Sequence, residues 1–473
     1  GTPADHFPDD QRPTFCGTGE AKSNRYVKEF RIPTECTQPL AIIAGPLGYI
    51  WFTESNTGSI VRFNPVTELF TEYPNPDWPE ESRSMMWGID YSPDGNIWYT
   101  DNAHNAIWKF SPQEQTFQGF SYPESESGSM PQRLEFNNDA IVVNDFTGSK
   151  ITIFDPNQSG DDLEYNILRS PVENSFTASF AIDDSNNLWY TNWKVGEGGV
   201  LVKFNTKTES FDETFVLPFG VTTPNGLSVG PDGKVWGTDT SSSLFFGFDP
   251  VTKEFTKFIT PPPPVSAYGN DTGLVKNPIS RPYWNEFDDN GRLWFNEQTS
   301  NSIAAFDPSD ESLVEYLIPS KNPNWADCDE DNFDCGLAQV LDFTIQGDKI
   351  WFTEWVENNI GVIDTGVPLP FEIQVEPKEL TLSKGEKRTV SLTIIPSLPL
   401  SGEGTVTSSS TATFDDIKVF GSGQAIIFND KPQTILLEIS VAETALSGYH
   451  KVAIAVPYGD VTISKYLTVT ITQ

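Results

Sequence analysis

The sequence predicts an all-β protein: a seven-bladed β-propeller closed by an N-terminal strand, followed by an immunoglobulin-like β-sandwich. Three observations carry this expectation. A Trp-centred segment recurs seven times, each copy divides into four short strand-like runs, and beyond about Phe371 the pattern gives way to period-two alternation.

The repeat is anchored on Trp51, Trp98, Trp189, Trp236, Trp294 and Trp351, with "AIVVNDF" (140–146) supplying a seventh copy in which Val142 replaces Trp. The gaps between anchors are 47, 44, 47, 47, 58 and 57 residues. Turns such as "PDGN" (93–96), "PDGK" (231–234) and "DNGR" (289–292) precede several anchors. Their Gly accepts a positive φ at little cost, which marks a hairpin. Behind the anchor comes a third run that closes on Asx or Ser before Pro: "IVRFNP", "IWKFSP", "ITIFDP", "LFFGFDP" and "IAAFDP". A fourth follows, as in "LFTEYPNP", "TFQGFSYP", "EFTKFITP" and "LVEYLIPS". Four antiparallel strands in each roughly 45-residue unit make a propeller blade. The bulky anchors are expected to fill the layers between blades.

The last unit lacks a fourth strand after "NNIGVIDTG" (358–366), whereas "YVKEFRIPT" (26–34) matches that strand and stands before the first unit. The N-terminus is therefore expected to complete the last blade and to remove two open sheet edges. The expected organisation is an irregular segment (1–25), the propeller (26–366), a Pro-containing linker (367–370) and the sandwich (371–473). In the sandwich, "FEIQVEP", "RTVSLTIIP", "QAIIFND", "QTILLEISV", "HKVAIAV" and "KYLTVTIT" read as strands.

The 66 acidic against 30 basic residues give a formal charge of −36. Such a surface repels nucleic acid and anionic membranes and gathers cations. No apolar run of membrane-spanning length occurs in the chain. Four cysteines without CxxC spacing disfavour zinc and thioredoxin-type chemistry. Cys16 and Cys36 bracket the irregular N-terminal stretch, and Cys328 and Cys335 bracket a short acidic loop. Two local disulfides are expected, and with them an extracytoplasmic, secreted or cell-surface protein. Sequons occur at Asn157-Gln158-Ser159 and Asn270-Asp271-Thr272.

The units "GPLGYIWFTESNTGSIVRFNP" and "PNGLSVGPDGKVWGTD", with their "TEYPNP"-type fourth strands, resemble the streptogramin B lyase (virginiamycin B lyase) propellers over roughly residues 26–366. The resemblance implies seven blades, closure on the N-terminus, and magnesium-dependent elimination that linearises a cyclic depsipeptide. That chemistry uses a His eleven residues before an anchor Trp, a Glu two residues earlier, and the carboxylate three residues after the anchor. The corresponding residues here are Leu40, Trp87, Gln132 or Arg133, Ala178, Asn225, Tyr283 and Val340, none of them His. An elimination needs a positioned base. The resemblance therefore transfers the fold and leaves the reaction without its base.

Three residues after the anchors stand Glu54, Asp101, Asp145, Asn192, Asp239, Glu297 and Glu354. The six acids are expected on one face, as turn caps or as oxygen ligands for Ca²⁺ or Mg²⁺. Trp87, Tyr283 and Trp284, with Arg133, Arg281 and the nearby Arg83, compose a candidate ligand set at the channel mouth, suited to a sugar, peptide or carboxylate. Asp327, Asp329 and Asp331 resemble half of a calcium loop without its Gly and its final Glu. Of the three His, His6 is in the tail, His450 in the sandwich, and His104 reads as an exposed loop residue. No Ser-His-Asp or Cys-His set is assembled from the sequence. The function expected is a binding module for an extracellular ligand or surface-protein partner, assisted by a cation. The alternative is a divalent-cation-dependent lyase or lactone hydrolase.

Overall fold

The computed structural model describes residues 3–126, 128–158, 163–268, 279–328 and 334–473. Along them run seven four-stranded antiparallel sheets. The first comprises Pro39–Ala44, Ile50–Glu54, Ile60–Asn64 and Leu69–Tyr73. The second comprises Ile89–Tyr91, Ile97–Asp101, Ala106–Ser111 and Thr116–Ser121, and the third Pro131–Asn137, Ala140–Asp145, Lys150–Phe154 and Tyr165–Arg169. Phe176–Ile182, Asn187–Lys194, Gly198–Asn205 and Ser210–Val216 form the fourth. Pro224–Val229, Val235–Asp239, Leu244–Asp249 and Glu254–Ile259 form the fifth. The sixth contains Pro282–Phe287, Leu293–Glu297, Ser302–Asp307 and Ser312–Leu317. The seventh joins Phe343–Gln346, Lys349–Glu354 and Asn359–Asp364 to the N-terminal strand Val27–Arg31, with Val27 opposite Ile363 and Arg31 opposite Asn359. The N-terminal strand thus occupies the edge that the sequence left open.

The anchor tryptophans explain why the sheets stay together. Five of the six project from the second strand of their sheet onto an aromatic in the third strand of the next, while Trp294 stacks on Tyr316 of its own sheet at 5.8 Å and packs in one cluster with Ile363 of the seventh. Ring centroids lie 6.0 Å apart for Trp51–Phe110, 6.2 Å for Trp98–Phe154, 5.9 Å for Trp189–Phe248 and 5.6 Å for Trp236–Phe306. Trp351 closes the circuit on Phe63 of the first sheet at 5.5 Å. Val142, in the Trp-less copy, packs in the same layer with Phe204 of the fourth sheet. The Phe of each Phe-Asx/Ser-Pro run is thus one half of an inter-sheet contact. Both disulfides are formed, Cys16–Cys36 and Cys328–Cys335. The first closes a 20-residue separation and contributes on the order of 3 kcal/mol by loop entropy. It is buried with Ala4 and Phe7.

Beyond residue 370 two sheets enclose one apolar core that includes Phe371, Leu392, Ile439, Ile454 and Val469. One sheet is Phe371–Glu376, Lys387–Pro396, Gln433–Val441 and Ile417–Phe420. The other holds Glu379–Ser383, Val461–Thr472, Gly448–Tyr458 and Thr407–Ser410, and it does not end there. Val461–Thr472 also pairs antiparallel with Ser312–Leu317, so the sixth propeller sheet continues into the C-terminal module. Residues 367–370 are therefore not a free spacer: the module is held by backbone hydrogen bonds, by Lys451–Glu311 at 2.7 Å, and by the Tyr466 hydroxyl donating to Ile259 O at 2.7 Å. Among the described residues no helix is long and apolar enough to cross a membrane.

Because Trp98 is 1 % exposed, Trp98→Ala is expected to cost about 3–5 kcal/mol in chemical denaturation. Val251→Ala, at a site 88 % exposed, should stay within about 0.5 kcal/mol.

Candidate functional site: the axial channel and the acid positions

The first strands of the seven sheets stand around one axis. A cavity of about 430 Å³ lies between them, lined from every sheet by residues that include Ile42, Asp90, Arg133, Ile182, Ser228, Glu286 and Asp342. Most of these strands carry a register shift near their beginning, between Pro39 and Ile42, Pro131 and Leu134, Thr177 and Phe180, Pro224 and Gly226, and Pro282 and Asn285. Such a bulge re-aims the residues beside it. Gln132, Arg133, Tyr283 and Trp284 all fall within these bulges.

Four of the six expected ligand residues come together, Arg133 and Trp284 lining the cavity and Tyr283 and Trp87 beside them. The Arg133 guanidinium lies 3.7 Å from the Trp284 ring centroid and 5.9 Å from that of Tyr283. Trp87 and Tyr283 are 6.2 Å apart, and Gln132 donates to the Tyr283 hydroxyl at 3.4 Å. Arg281 is not part of the set, since its guanidinium donates to Thr240 O at 3.4 Å. Arg83 is further out, with its guanidinium 4.1 Å from the Phe7 ring.

The structure adds a fact that changes the chemistry of this set: Arg133 is already paired, to Asp342 Oδ1 at 3.0 Å. An anionic ligand would have to displace that buried carboxylate. What the cavity leaves uncompensated is negative. Burial, followed by repulsion from Asp342, Glu135 and Asp90, pushes the Glu286 carboxyl up to about 8, with Arg133 opposing. Burial and then Asp90 raise Glu135 to about 7. More than a third of the Glu135 surface is open, and it is open to the cavity that the residue lines. Asp90 rises to about 6 by burial, although the Phe136 and Tyr91 amides bond to its charged form. These acids were missed in the sequence. Their signal is the two-residue step along a strand: Arg133 and Glu135, and Trp284 and Glu286, share a face.

The acids three residues after the anchors do not meet around the channel. Each is buried within its own sheet, and among the described residues no three His, Cys, Asp or Glu side chains could share a metal ion. Asp145 accepts the Met130 and Gly148 amides at 2.8 and 2.9 Å and faces Lys150 Nζ at 3.5 Å. Asp239 accepts the Thr223 amide and the Ser242 hydroxyl at 2.7 and 2.6 Å. Asn192 donates to Ser170 and Thr177, each at 3.0 Å. These are turn and strand-end caps. Glu54, Glu297 and Glu354 differ: each has a second glutamate beside it, Glu72, Glu315 and Glu29 respectively. In the acidic loop, Asp327 donates its amide to Tyr268 O at 3.0 Å, while Asp329 and Asp331 lie outside the described residues. So do the second sequon and Ser159 of the first.

Asp101 makes the arrangement least expected from sequence. Its Oδ2 accepts Trp108 Nε1 at 2.9 Å and lies 2.7 Å from His104 Nδ1. Ser84 Oγ bonds to its Oδ1. With a carboxylate as acceptor, His104 carries its proton on Nδ1 and presents Nε2, which is 2.6 Å from Ser82 Oγ. His104 is only 23 % exposed and stacks edge-on against Trp78 at 4.7 Å. The exposed-loop reading of His104 is therefore corrected, and the Ser-His-Asp set absent from the sequence reading is Ser82–His104–Asp101. Ser82 sits in an irregular loop and carries no motif, so only the fold brings it to His104.

A linkage prediction follows from the channel. Glu286, Glu135 and Asp90 have folded-state values above those of the unfolded chain, so their stabilising effect is full below about pH 4 and is lost as pH rises to about 8. In EDTA, thermal stability should be lower at pH 8.5 than at pH 5. Glu286→Gln should remove part of that fall, spread over the whole interval from about pH 5 to pH 8.

Compared with known proteins, residues 18–245 match the virginiamycin B lyase family model. No curated protein matches the chain. Among solved structures, virginiamycin B lyase from Staphylococcus aureus aligns with TM-score 0.56 at 20 % identity, covering 73 % of this chain and 99 % of that one. A streptogramin B lyase aligns with TM-score 0.55 at 20 % identity, covering 71 % and 96 %. Kuenenia stuttgartiensis hydrazine synthase aligns with TM-score 0.51 at 12 % identity over 70 % and 97 %. At these identities the structural likeness speaks for the fold. The chain is a propeller similar to the virginiamycin B lyases.

Proposed function

We propose that the chain is an extracytoplasmic binding propeller with an immunoglobulin-like module, and that its axial cavity receives a cationic group, an amine or guanidinium of a small molecule or peptide. The carrying observation is the cavity itself, where Asp90, Glu135 and Glu286 face one space whose only cation, among the lining residues, is already bonded to Asp342. A bound cation replaces the protons that burial holds on these acids, and the Trp284 ring lines the same cavity. The two disulfides support a site outside the cytoplasm.

Calorimetric titration with spermine tests this reading. Binding should strengthen about tenfold from pH 6 to pH 8.5 as the acids ionise, and should disappear in Glu135→Gln/Glu286→Gln. Binding that is absent at both pH values, or unchanged in the double variant, would overturn it.

One observation favours a second reading, hydrolysis of an ester or lactone: the Ser82–His104–Asp101 relay. Ser82 Oγ would attack the carbonyl carbon while its proton passes to His104 Nε2, and the buried Asp101 carboxylate would stabilise the imidazolium. The imidazolium then protonates the leaving alkoxide, and water repeats the sequence on the acyl-serine. A fluorophosphonate probe should label the chain, and Ser82→Ala or His104→Ala should abolish labelling. Labelling that persists in Ser82→Ala would sink this reading.

A further inference from the structure

The six acids three residues after the anchors fall into two classes, divided by side-chain length. Where the acid is Asp, in the second, third and fifth sheets, donors meet it: Trp108 and His104 at Asp101, Lys150 at Asp145, and Ser242 with two amides at Asp239. Where it is Glu, in the first, sixth and seventh sheets, the longer side chain reaches a glutamate of the fourth strand. In register between the two strands stands a small or short-branched residue: Val61 opposite Glu72, Ala304 opposite Glu315, and Gly361 opposite Glu29.

Each pair keeps at least one carboxylate oxygen without a hydrogen-bond partner, although Thr57 Oγ1 donates to Glu54 Oε1 at 2.9 Å. Glu297 is 1 % exposed, Glu315 is 7 % exposed, and neither oxygen of Glu297 has a hydrogen-bond partner. The Thr260 and Ser280 hydroxyls stand beside Glu297, bonded to one another at 2.6 Å. In the seventh sheet Glu354 Oε2 has no partner, and neither has the Oδ1 of Asn359, a residue 1 % exposed whose amide nitrogen donates to Glu354 Oε1 at 3.2 Å. Glu29, facing it, accepts Ser320 Oγ at 2.5 Å and the Lys22 and Ser320 amides at 2.9 and 3.1 Å. Those donors favour the ionised form of Glu29. In the first sheet Glu54 Oε2 is likewise without a partner.

Two carboxylates facing each other are acceptor against acceptor. They attract only when a proton or a cation sits between them. The surrounding atoms are oxygens from hydroxyl, amide and carboxylate groups, with no nitrogen or sulfur donor in the set, which is the ligand chemistry of a hard cation. Calcium takes such oxygens with irregular geometry and sheds its water, whereas magnesium keeps several waters for which these dry sites leave little room.

We propose that the glutamate pairs inside the sheets are divalent-cation sites suited to Ca²⁺, with Glu297 and Glu315 as the principal one and Glu29 with Glu354 as its counterpart in the closing sheet. They are distinct from the axial channel, since none of these four residues lines it. Both lie where the ring is joined. Glu315 is on the strand that pairs with the C-terminal module, Glu315 facing Thr462, and Glu29 is on the N-terminal strand that completes the seventh sheet. Cation binding would lock these two junctions.

The test uses the full chain, stripped with EDTA and dialysed. Adding CaCl₂ to roughly a hundredfold excess over Kd should raise the melting temperature by about 5 °C, and Mg²⁺ should do less. Elemental analysis should find calcium retained before stripping. Glu297→Gln/Glu315→Gln should lose one equivalent and part of the shift. As a local reading that does not need that variant to fold, Tb³⁺ should show luminescence sensitised by buried Trp294 and be displaced by Ca²⁺. If Ca²⁺ leaves the melt unchanged while stability falls from pH 5 to pH 8 equally with and without it, the pairs share protons and the proposal fails.

Discussion

A four-stranded antiparallel sheet with two apolar faces has no way to cover either one by itself, and this constraint organises the molecule. Five sheets cover the face by sending a tryptophan onto the third-strand phenylalanine of the neighbour, Val142 and Trp294 fill the remaining two layers, and the obligation passes around until Trp351 meets Phe63. The ring must close, because an open ring leaves one such face and one strand edge in water. Closure by Val27–Arg31 therefore places the two ends of the propeller sequence in one sheet. It also gives the irregular N-terminal segment, with its disulfide, a fixed place against the seventh sheet: Arg31 donates to Glu357 O at 2.6 Å, and Thr18 to the Glu357 carboxylate.

Closure creates the channel, and the channel dictates its own electrostatics. Seven first strands around one axis bring together groups that are far apart in sequence. A carboxyl group pointing into that space is removed from water whether or not a partner is present. Arg133 and Asp342 neutralise each other, with the Arg133 guanidinium stacked on Trp284, which leaves three further acids lining the same cavity. Their raised values record the desolvation that a bound cation would relieve. The same principle operates inside the sheets, where buried glutamates meet glutamates.

The C-terminal module is bound by the logic that governs the ring. The sixth sheet would otherwise present Ser312–Leu317 as an exposed edge. The last strand of the module takes that edge, so one sheet runs through both parts. Tyr466 and Ala453 complete the apolar layer beneath it with Phe258 and Phe306. A sandwich attached in this way moves with the propeller.

The repeat, its four-strand division, the N-terminal closure and the places of the tryptophans were legible in the chain, because hydrophobic periodicity and turn residues act locally and recur. The disulfides were legible from proximity, and the position of the acids from their offset to the anchors. The partners of those acids were not legible. That Glu54 meets Glu72 depends on what lies across two strands, and the charge left over in the channel depends on Arg133 finding Asp342 some two hundred residues away. Ser82 and His104 come together only when an irregular loop folds over the second sheet. Local pattern determined which strands form. The chemistry of each site was decided by long-range packing, since a side chain's charge and protonation answer to neighbours that the sequence does not place beside it.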